Sequence, residues 1–526
     1  MMPKVLISDK LSERAVEIFR SRGVDVDFKP GLSADELLSV IGDYDGLAVR
    51  SATKATAEVL KKGSRLKVVG RAGIGVDNID VDAATQAGVV VMNTPFGNSI
   101  TTAEHTLAMM MAVSRQIPAA SESTHQGKWE KSRFMGVELF GKVLGLIGSG
   151  NIGSIVADRA HGLKMRVVSY DPFLSHERSV ELGIEKVELD ELYRRADFIT
   201  VHTPLTDNTR NMINADAFAK MKDGVRIINC ARGGIVNEVD LAAALDAGKV
   251  AGAALDVFTD EPAKENILFG RPDVVATPHL GAYTEEAQEN VAIQVAEQMA
   301  DYLLTGAVTN ALNMPSVSAE DAPKLTPYMG LAELLGSFAG QVTETGLKAV
   351  TVEFEGHVAE LNTQPLIQAA VAGLLRPLLD SVNMVNAPVI ARQRSIEVTE
   401  IKHDRPGDFQ TLIQVTVTTE RLTRSVAGTL FGGNKARIVD IKGIEIEAEL
   451  TANMLYITNH DKPGLIGDLG RTLGDAGVNV ASFHLGRAGP GSDAIALIQL
   501  DQAIDDALLQ RIRALPNVVQ AKLLHF

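Results

Sequence analysis

The run Lys142-Val143-Leu144-Gly145-Leu146-Ile147, followed at once by Gly148-Ser149-Gly150-Asn151-Ile152-Gly153, constrains this chain more than any other feature. A short apolar strand that turns through three spaced glycines into a helix is built to cradle a dinucleotide. Each glycine has its own mechanical task. Gly148 permits the tight turn, Gly150 lets backbone approach a pyrophosphate, and Gly153 lets the helix lie close to the strand. The helix start at Asn151 and Ile152 offers free N–H groups and a partial positive charge to phosphate. A second strand, Arg166–Tyr170, leads to Asp171, 23 residues after Gly148. A carboxylate there accepts hydrogen bonds from the adenosine ribose and repels a 2′-phosphate, which favours NAD over NADP. The plainer alternative is that Asp171 only opens a turn before Pro172.

Around this unit the chain reads as several domains, since 526 residues at roughly 150 per domain give three or four. Strands expected at 5–7, 46–49, 66–69 and 89–92 alternate with helical stretches and predict a parallel sheet covered on both faces. A helix over 99–114 carries an apolar face of Leu107, Met110 and Met111, and a polar crossing segment with Gly127-Lys128-Trp129 follows. The second α/β series adds strands at 198–201, 225–229, 251–255 and 274–277. A helix at 285–304 is expected to return the chain to the first sheet, because residues 1–95 alone lack a closing element. The expected organisation is a flavodoxin-like substrate-binding domain from 1–95 and 283–313, interrupted by a Rossmann-type NAD domain at 96–282. Residues 314–318 read as a linker. Period-two strands at 349–354, 395–401 and 412–418 mark an intervening α+β domain over 314–450. Residues 451–526 follow the order strand, helix, strand, strand, helix, strand, a ferredoxin-like split βαβ arrangement.

Composition narrows the function. The formal charge of −15 sets nucleic acid and anionic membranes aside as partners, and an anionic small substrate then needs a local cluster of cations. The single cysteine, Cys230, excludes an intrachain disulfide and a cysteine metal site, and no metal is expected. The opening residues run into a β-rich stretch without a signal-peptide pattern, and 107–113 is too short an apolar run to span a bilayer. The expectation is a cytoplasmic protein.

Three residues form a candidate proton-transfer and anion constellation, each just past a strand end, where open α/β sheets place their ligands. Arg232 lies in Asn229-Cys230-Ala231-Arg232-Gly233-Gly234, Glu261 follows Asp256-Val257-Phe258, and His279 sits in Thr277-Pro278-His279-Leu280-Gly281. An arginine fork grips a carboxylate and polarises a neighbouring carbonyl. A histidine exchanges protons near neutrality, and a glutamate beside it raises its basicity and fixes its orientation.

The segments 148–153, 229–234, 256–262 and 278–281 together resemble the D-isomer-specific 2-hydroxyacid dehydrogenase family, over about residues 1–313. That resemblance implies that Arg232 binds the substrate carboxylate while His279 and Glu261 move the proton. It also implies a cofactor set of Gly148, Gly150, Asn151, Ile152, Gly153, Asp171, Thr203, Cys230, Ala231, Arg232, Asp256, His279, Gly281, Ala282 and Ile74. Glu261 speaks against the formate dehydrogenase branch. Further forward, 47–51, 69–78 and 93–99 resemble the subgroup that acts on D-3-phosphoglycerate. This implies a substrate set of Arg50, Ser51, Arg71, Gly73, Ile74, Asn98, Arg232 and His279, with backbone amides at Gly73 and Ile74 on the carboxylate and Arg50 and Arg71 near the phosphate. Surface pairing with nearby acids is the alternative for both arginines. Some relatives carry Thr where Ile74 stands, so only backbone contacts carry over there. Lys131 and Arg133 are weaker candidates for added charge across a dimer interface.

Residues 458–467 and 476–480 resemble an ACT regulatory domain, which implies an amino-acid effector such as L-serine near Asp461 and Asn479. A helix cap and a turn residue are the alternatives for these two. Residues 424–429 and 432–437 resemble the extra domain of long-form relatives, where Lys435 and Arg437 either meet an anion or are simply solvated. The implied reaction is NAD-dependent oxidation of (2R)-3-phosphoglycerate to 3-phosphooxypyruvate, the entry to serine synthesis, by a homodimer or homotetramer. The rivals are a dehydrogenase of 2-hydroxyglutarate or another unphosphorylated acid, and a dinucleotide-sensing binding protein, which would have no need of the amino-acid-binding tail.

Overall fold

A computed structural model describes all residues except Met1, Ala319 and 404–406. The first sheet contains β1 (Lys4–Ile7), β2 (Asp25–Phe28), β3 (Gly46–Val49), β4 (Val68–Arg71) and β5 (Val90–Met92), all parallel, in the order β2-β1-β3-β4-β5. This is the flavodoxin-like winding. The second contains β6 (Val143–Ile147), β7 (Arg166–Tyr170), β8 (Glu185–Lys186), β9 (Phe198–Val201), β10 (Val225–Asn229), β11 (Val250–Leu255) and β12 (Val274–Ala276). Its parallel order, β12-β11-β10-β9-β6-β7-β8, changes direction between β6 and β9, which opens a crevice at the ends of those strands.

The helix Glu285–Thr305 lies on the first sheet, not the second: Val291, Val295 and Met299 share one core with Val5, Ile7 and Val68. Strand β4 admits it because Gly70 has no Cβ; one added there would come within 2.7 Å of Val295 Cγ2. The helix Ser99–Arg115 crosses to the second sheet, where Leu107, Met110 and Val113 pack with Leu144, Ile228 and Ala254. Met111 departs from the expected apolar face. It is 39% exposed and points away from that core.

The third sheet holds β13 (Leu347–Gly356), β14 (Glu397–His403), β15 (Thr411–Thr419), β16 (Thr423–Phe431), β17 (Lys435–Ile441) and β18 (Ile444–Ala448), in the order β14-β13-β15-β16-β17-β18. Two helices, Ala322–Val342 and Gln364–Leu375, cover it. They meet at backbone distance through Gly336, Gly340 and Gly373, each of which faces a carbonyl of the opposite helix. The pattern of the sequence leaves this pair unannounced, because Gln364–Leu375 is buried on nearly every side and so shows no amphipathic period.

The fourth sheet holds β19 (Met454–His460), β20 (Val480–Arg487), β21 (Asp493–Leu500) and β22 (Val518–Leu524) in the antiparallel order β20-β21-β19-β22, with helices Leu465–Asp475 and Asp506–Arg513 on one face. Its other face shares a core with the third unit. Tyr456 stands edge-on to Phe338, their ring centroids 5.5 Å apart.

The glycine turn can be tested here. Gly148 has φ +92°, and a Cβ there would meet the His202 carbonyl oxygen at 2.5 Å. A Cβ on Gly153 would fall on the Gly148 carbonyl, whereas nothing lies within 4 Å of one on Gly150. Gly153→Ala is therefore expected to push the helix off its strand and to cost about 2–3 kcal/mol, the scale of overpacking against an atom that cannot yield. Urea unfolding checks this; an unchanged midpoint would contradict it.

Candidate functional site

The crevice above β6 is lined as a dinucleotide would require. Gly150 leaves open space at the start of the helix Asn151–Gly162. The Asp171 carboxylate is oriented by the N–H groups of Ser149 (2.8 Å) and Phe173 (2.9 Å), one on each oxygen. A carboxylate has about four acceptor sites, so capacity remains for ribose hydroxyls. Thr203 Oγ1 and Asn98 Oδ1 are buried without a hydrogen-bond partner among the described residues. Buried polar atoms are nearly always satisfied, and Thr203 lies against Gly148 of the turn, so its orphaned hydroxyl fits a polar ligand there. No Arg or Lys forms an ion pair with Asp171 among the described residues. The set fits NAD, held at its pyrophosphate by the glycine turn and at its ribose by Asp171.

The candidate proton-transfer residues meet next to it. His279 Nδ1 lies 2.7 Å from Glu261 Oε2, and Glu261 Oε1 accepts the Phe258 N–H at 3.0 Å. Half-burial pushes the Glu261 carboxyl up. The hydrogen bonds from His279 and Phe258, with the charge of Arg232, outweigh this and hold it below the ordinary glutamate range. The anionic state is therefore the resident one. His279 has φ +57°, an uncommon conformation for a residue with a Cβ, and its side chain is 48% exposed toward the cleft.

What holds that loop is Asp256. Its carboxylate is fully buried and accepts from Thr277 Oγ1 (2.6 Å), Leu280 N–H (2.7 Å) and Gly281 N–H (2.7 Å), with His105 Nε2 at 3.2 Å. Burial raises the Asp256 carboxyl, and the bonds from His105, Thr277 and Leu280 overcome it and keep it low. The His279 N–H closes the loop onto the Asp256 carbonyl at 2.9 Å.

Three arginines from two sheets converge opposite. Arg232 Nε pairs with Asp77 Oδ2 at 3.2 Å across the cleft, and its Nη1 donates to the Ala231 carbonyl. Arg71 donates through Nε to Asn78 Oδ1 (3.0 Å) and the Arg50 carbonyl (3.2 Å). Burial, then the nearby charges of Arg232 and Arg50, push the Arg71 guanidinium down to about 10, against a partial offset from Asp77 and Asp9. Arg50 donates to Gln288 Oε1 at 3.1 Å and lies over the Tyr283 ring. Neither Arg50 nor Arg71 has a carboxylate within ion-pair reach among the described residues, so the surface-pairing alternative does not describe them. Ser51 is exposed beside them.

The side chains of Cys230 and Asp256, both expected in the cofactor set, are enclosed: Cys230 is 5% exposed, its thiol pushed up to about 12 by burial, and Asp256 has no exposure. Both lie beneath the floor, where Asp256 shapes the loop that carries Gly281 and Ala282. Ala231 has its N–H taken by Asn229 Oδ1. The Gly73 amide is likewise engaged, donating to Thr94 Oγ1 at 2.7 Å, whereas the Ile74 N–H makes no hydrogen bond among the described residues. The supports His105, Thr277, Asn78 and Gln288 were not anticipated. Asn78 ends the segment 69–78, but Gln288 is 238 residues from Arg50 and carries no local signal.

Outside the cleft, Asp461 Oδ2 accepts from Arg487 Nη1 and the Gly491 N–H, each at 3.1 Å, and Asn479 donates to Asp501 at 2.6 Å. Both regulatory candidates thus already have internal partners. Asp461 does not cap the following helix, whose first turn has no side-chain cap. Arg437 pairs with Glu449 at 3.0 Å, while Lys435 is exposed. Arg133 pairs with Glu130 at 3.1 Å and Lys131 is solvated.

Comparison with known proteins agrees with this layout. The family model for the D-isomer specific 2-hydroxyacid dehydrogenase catalytic domain matches residues 5–179, and that for its NAD binding domain matches 107–281. The D-3-phosphoglycerate dehydrogenase intervening domain matches 324–442, and the ACT domain 453–517. The D-3-phosphoglycerate dehydrogenase of Synechocystis sp. is 44% identical over 99% of this chain and 94% of its own length. That of Bacillus subtilis is 41% identical over 99% of each chain. Among solved structures, a D-lactate dehydrogenase from Aquifex aeolicus complexed with NAD and lactic acid superposes with TM-score 0.53 at 27% identity, over 60% of this chain and all (100%) of its own. A glyoxylate reductase from Paecilomyes thermophila gives TM-score 0.56 at 29% identity, over 59% and 98%. With its sheets, its crevice and its two C-terminal units accounted for together, this chain belongs to the D-isomer-specific 2-hydroxyacid dehydrogenase family, in the D-3-phosphoglycerate dehydrogenase branch that carries an intervening and an ACT domain.

Proposed function

We propose that this chain oxidises (2R)-3-phosphoglycerate to 3-phosphooxypyruvate with NAD, the first step toward L-serine. The observation that carries the reading is the 2.7 Å His279–Glu261 pair beside Arg232, facing two arginines that have no carboxylate partner. NAD, held by the glycine turn at 148–153 and by Asp171, would supply the acceptor for the C2 hydride. Arg232 grips the substrate carboxylate in exchange for Asp77 and polarises the C2 oxygen. His279 removes the hydroxyl proton through Nε2, because Nδ1 is committed to Glu261, whose charge stabilises the imidazolium that forms. Arg50 and Arg71 take the phosphate, and the Ile74 amide assists at the carboxylate. Of the two regulatory candidates, Asp461 is the better placed to meet the ammonium group of L-serine, by releasing Arg487.

The three arginines also supply what an acidic chain lacks. Against a net charge of −15, only a local cluster draws in a trianionic substrate. Trp129, Met135 and Phe140 are 87%, 83% and 71% exposed on one crossing segment, an apolar surface suited to a second copy of the chain. We read the protein as a cytoplasmic homo-oligomer, built at least as a dimer through that segment.

NADH consumption with 3-phosphooxypyruvate, with and without millimolar L-serine, tests the reading. Turnover that falls with serine is expected. Turnover indifferent to serine would remove the effector but keep the enzyme, and turnover with 2-oxoglutarate alone would reassign the substrate. His279→Ala should lower kcat by about 10²–10⁴-fold, the usual worth of a positioned general base. Glu261→Gln tests the pair by charge. Loss of the anion removes the group that stabilises the imidazolium, so kcat for oxidation falls; an unchanged kcat would refute the coupling. The Glu261 carboxyl, held low in the folded protein, contributes stability above its unfolded range that is lost as pH falls through the folded value. For assembly, Trp129→Glu with Met135→Glu should shift sedimentation toward the monomer, and an unchanged profile would place the contact elsewhere.

A further inference from the structure

A second cationic cavity lies far along the chain from the cleft, where the intervening unit meets the ACT unit. It measures about 160 Å³ and is walled by the end of the helix Ala322–Val342, by β15 and β16, and by Tyr456 of β19. That is close to the ~150 Å³ apolar cavity that accepts a benzene-sized molecule. Phe338, Val342, Val417 and Val426 give it an apolar back, and Arg421, Arg424 and Lys442 line it as cations.

None of these three cations has a carboxylate within ion-pair reach among the described residues. Arg424 donates to the Val342 carbonyl at 2.7 Å, which fixes its stem and leaves the rest of the guanidinium fork available. Glu344 is the one acid on the wall, and it is already taken by Lys522 at 3.0 Å and by Gln520. Lys442 feels the strain of this arrangement: burial and the charge of Arg424 lower its ammonium, with only Asp493 acting the other way. At the back, the Tyr456 hydroxyl is fully buried and has no hydrogen-bond partner among the described residues. Burial raises this phenol to about 12, so it stays a protonated donor.

A buried donor without an acceptor costs about 1–3 kcal/mol, and unpaired cations that repel one another add to that cost. An anion relieves both. We propose that this cavity is a binding site for a small organic dianion, a dicarboxylate or a phosphate monoester, held by Arg421, Arg424 and Lys442 with the Tyr456 hydroxyl as the inner donor and its short carbon body against Phe338 and Val342. A bare inorganic ion would leave the apolar wall unfilled. Arg437 lies elsewhere, near the opposite end of the β16–β17 ladder and paired with Glu449, so the two basic regions are separate.

The place of the cavity gives an occupant leverage. Arg424 belongs to the intervening unit and Tyr456 to the first ACT strand, which runs on through His460 to Asp461. A dianion held by both would tie the ACT sheet to the helix Ala322–Val342. This is independent of the dehydrogenase reading, and so is its test.

Cys230 is the only cysteine and is buried, so Thr345→Cys places one accessible thiol on the cavity wall of the full-length protein. Its alkylation by iodoacetamide is followed by mass spectrometry, with succinate and ethyl phosphate as probes and acetamide as the neutral control. Saturable slowing by either dianion is expected, and which one protects assigns carboxylate or phosphate chemistry. In the Arg424→Met and Lys442→Met backgrounds the protecting concentration should rise about tenfold, the value of one charge-assisted hydrogen bond. Lys442 stands half-covered at the rim of the cavity, outside the core, so its variant stays informative if Arg424→Met fails to fold. A thiol that never reacts, no slowing by either dianion, equal slowing by acetamide, or protection unchanged in the Lys442 variant would each overturn the proposal.

Discussion

The catalytic half of this protein depends on one buried carboxylate. Asp256 sits at the end of β11 with no exposure, and burying such a charge is tolerable only when its lone pairs are filled. Thr277, Leu280 and Gly281 fill them, all from the loop that carries His279, and His105 adds a contact from the helix Ser99–Arg115. The charge therefore dictates the path of the loop. It brings two successive N–H groups inward and leaves His279 at positive φ, with its ring turned out toward Glu261. The imidazole can be exposed and reactive because its backbone is tied down from below.

The arginine cluster follows an opposite logic. Arg71 is held mainly through neutral acceptors, Asn78 and the Arg50 carbonyl, and it faces like charges from Arg50 and Arg232. Neutral acceptors orient a guanidinium without cancelling its charge, which keeps the cleft positive in an acidic chain. Arg232 is the exception, pairing with Asp77 from the other sheet. That ion pair ties the two sheets together across the cleft.

Much of this was legible along the chain because the relevant signals are local. The turn from Gly148 to Gly153 carries its own geometric demands, and each glycine meets a backbone carbonyl or open space as those demands require. Strands β6, β7 and β9 to β12 are short apolar runs bounded by turns, and parallel strands announce themselves in that way, whereas the exposed Glu185-Lys186 of β8 carries no such signal. The signals failed where burial is complete or where partners are remote. The helix Gln364–Leu375 is apolar on all sides and has no face to read, and Met111, apolar by type, points outward. Gly73 looked like an amide donor to substrate until Thr94 proved to occupy it.

The sequence by itself determined the unit order, the two parallel sheets, the dinucleotide turn and the residue types that ended at strand termini. These follow from hydrophobic period, glycine and short-range spacing, which act between residues a few positions apart. Only the tertiary structure decided which of those residues face the cleft and which support it. Cys230 and Asp256 went beneath the floor, Arg232 met Asp77, Gln288 reached Arg50, and Arg424, Lys442 and Tyr456 closed around one cavity. The physical reason is that desolvation and pairing are properties of a place in three dimensions. A charged or hydroxyl group acquires its partners, or lacks them, only once distant segments have packed around it.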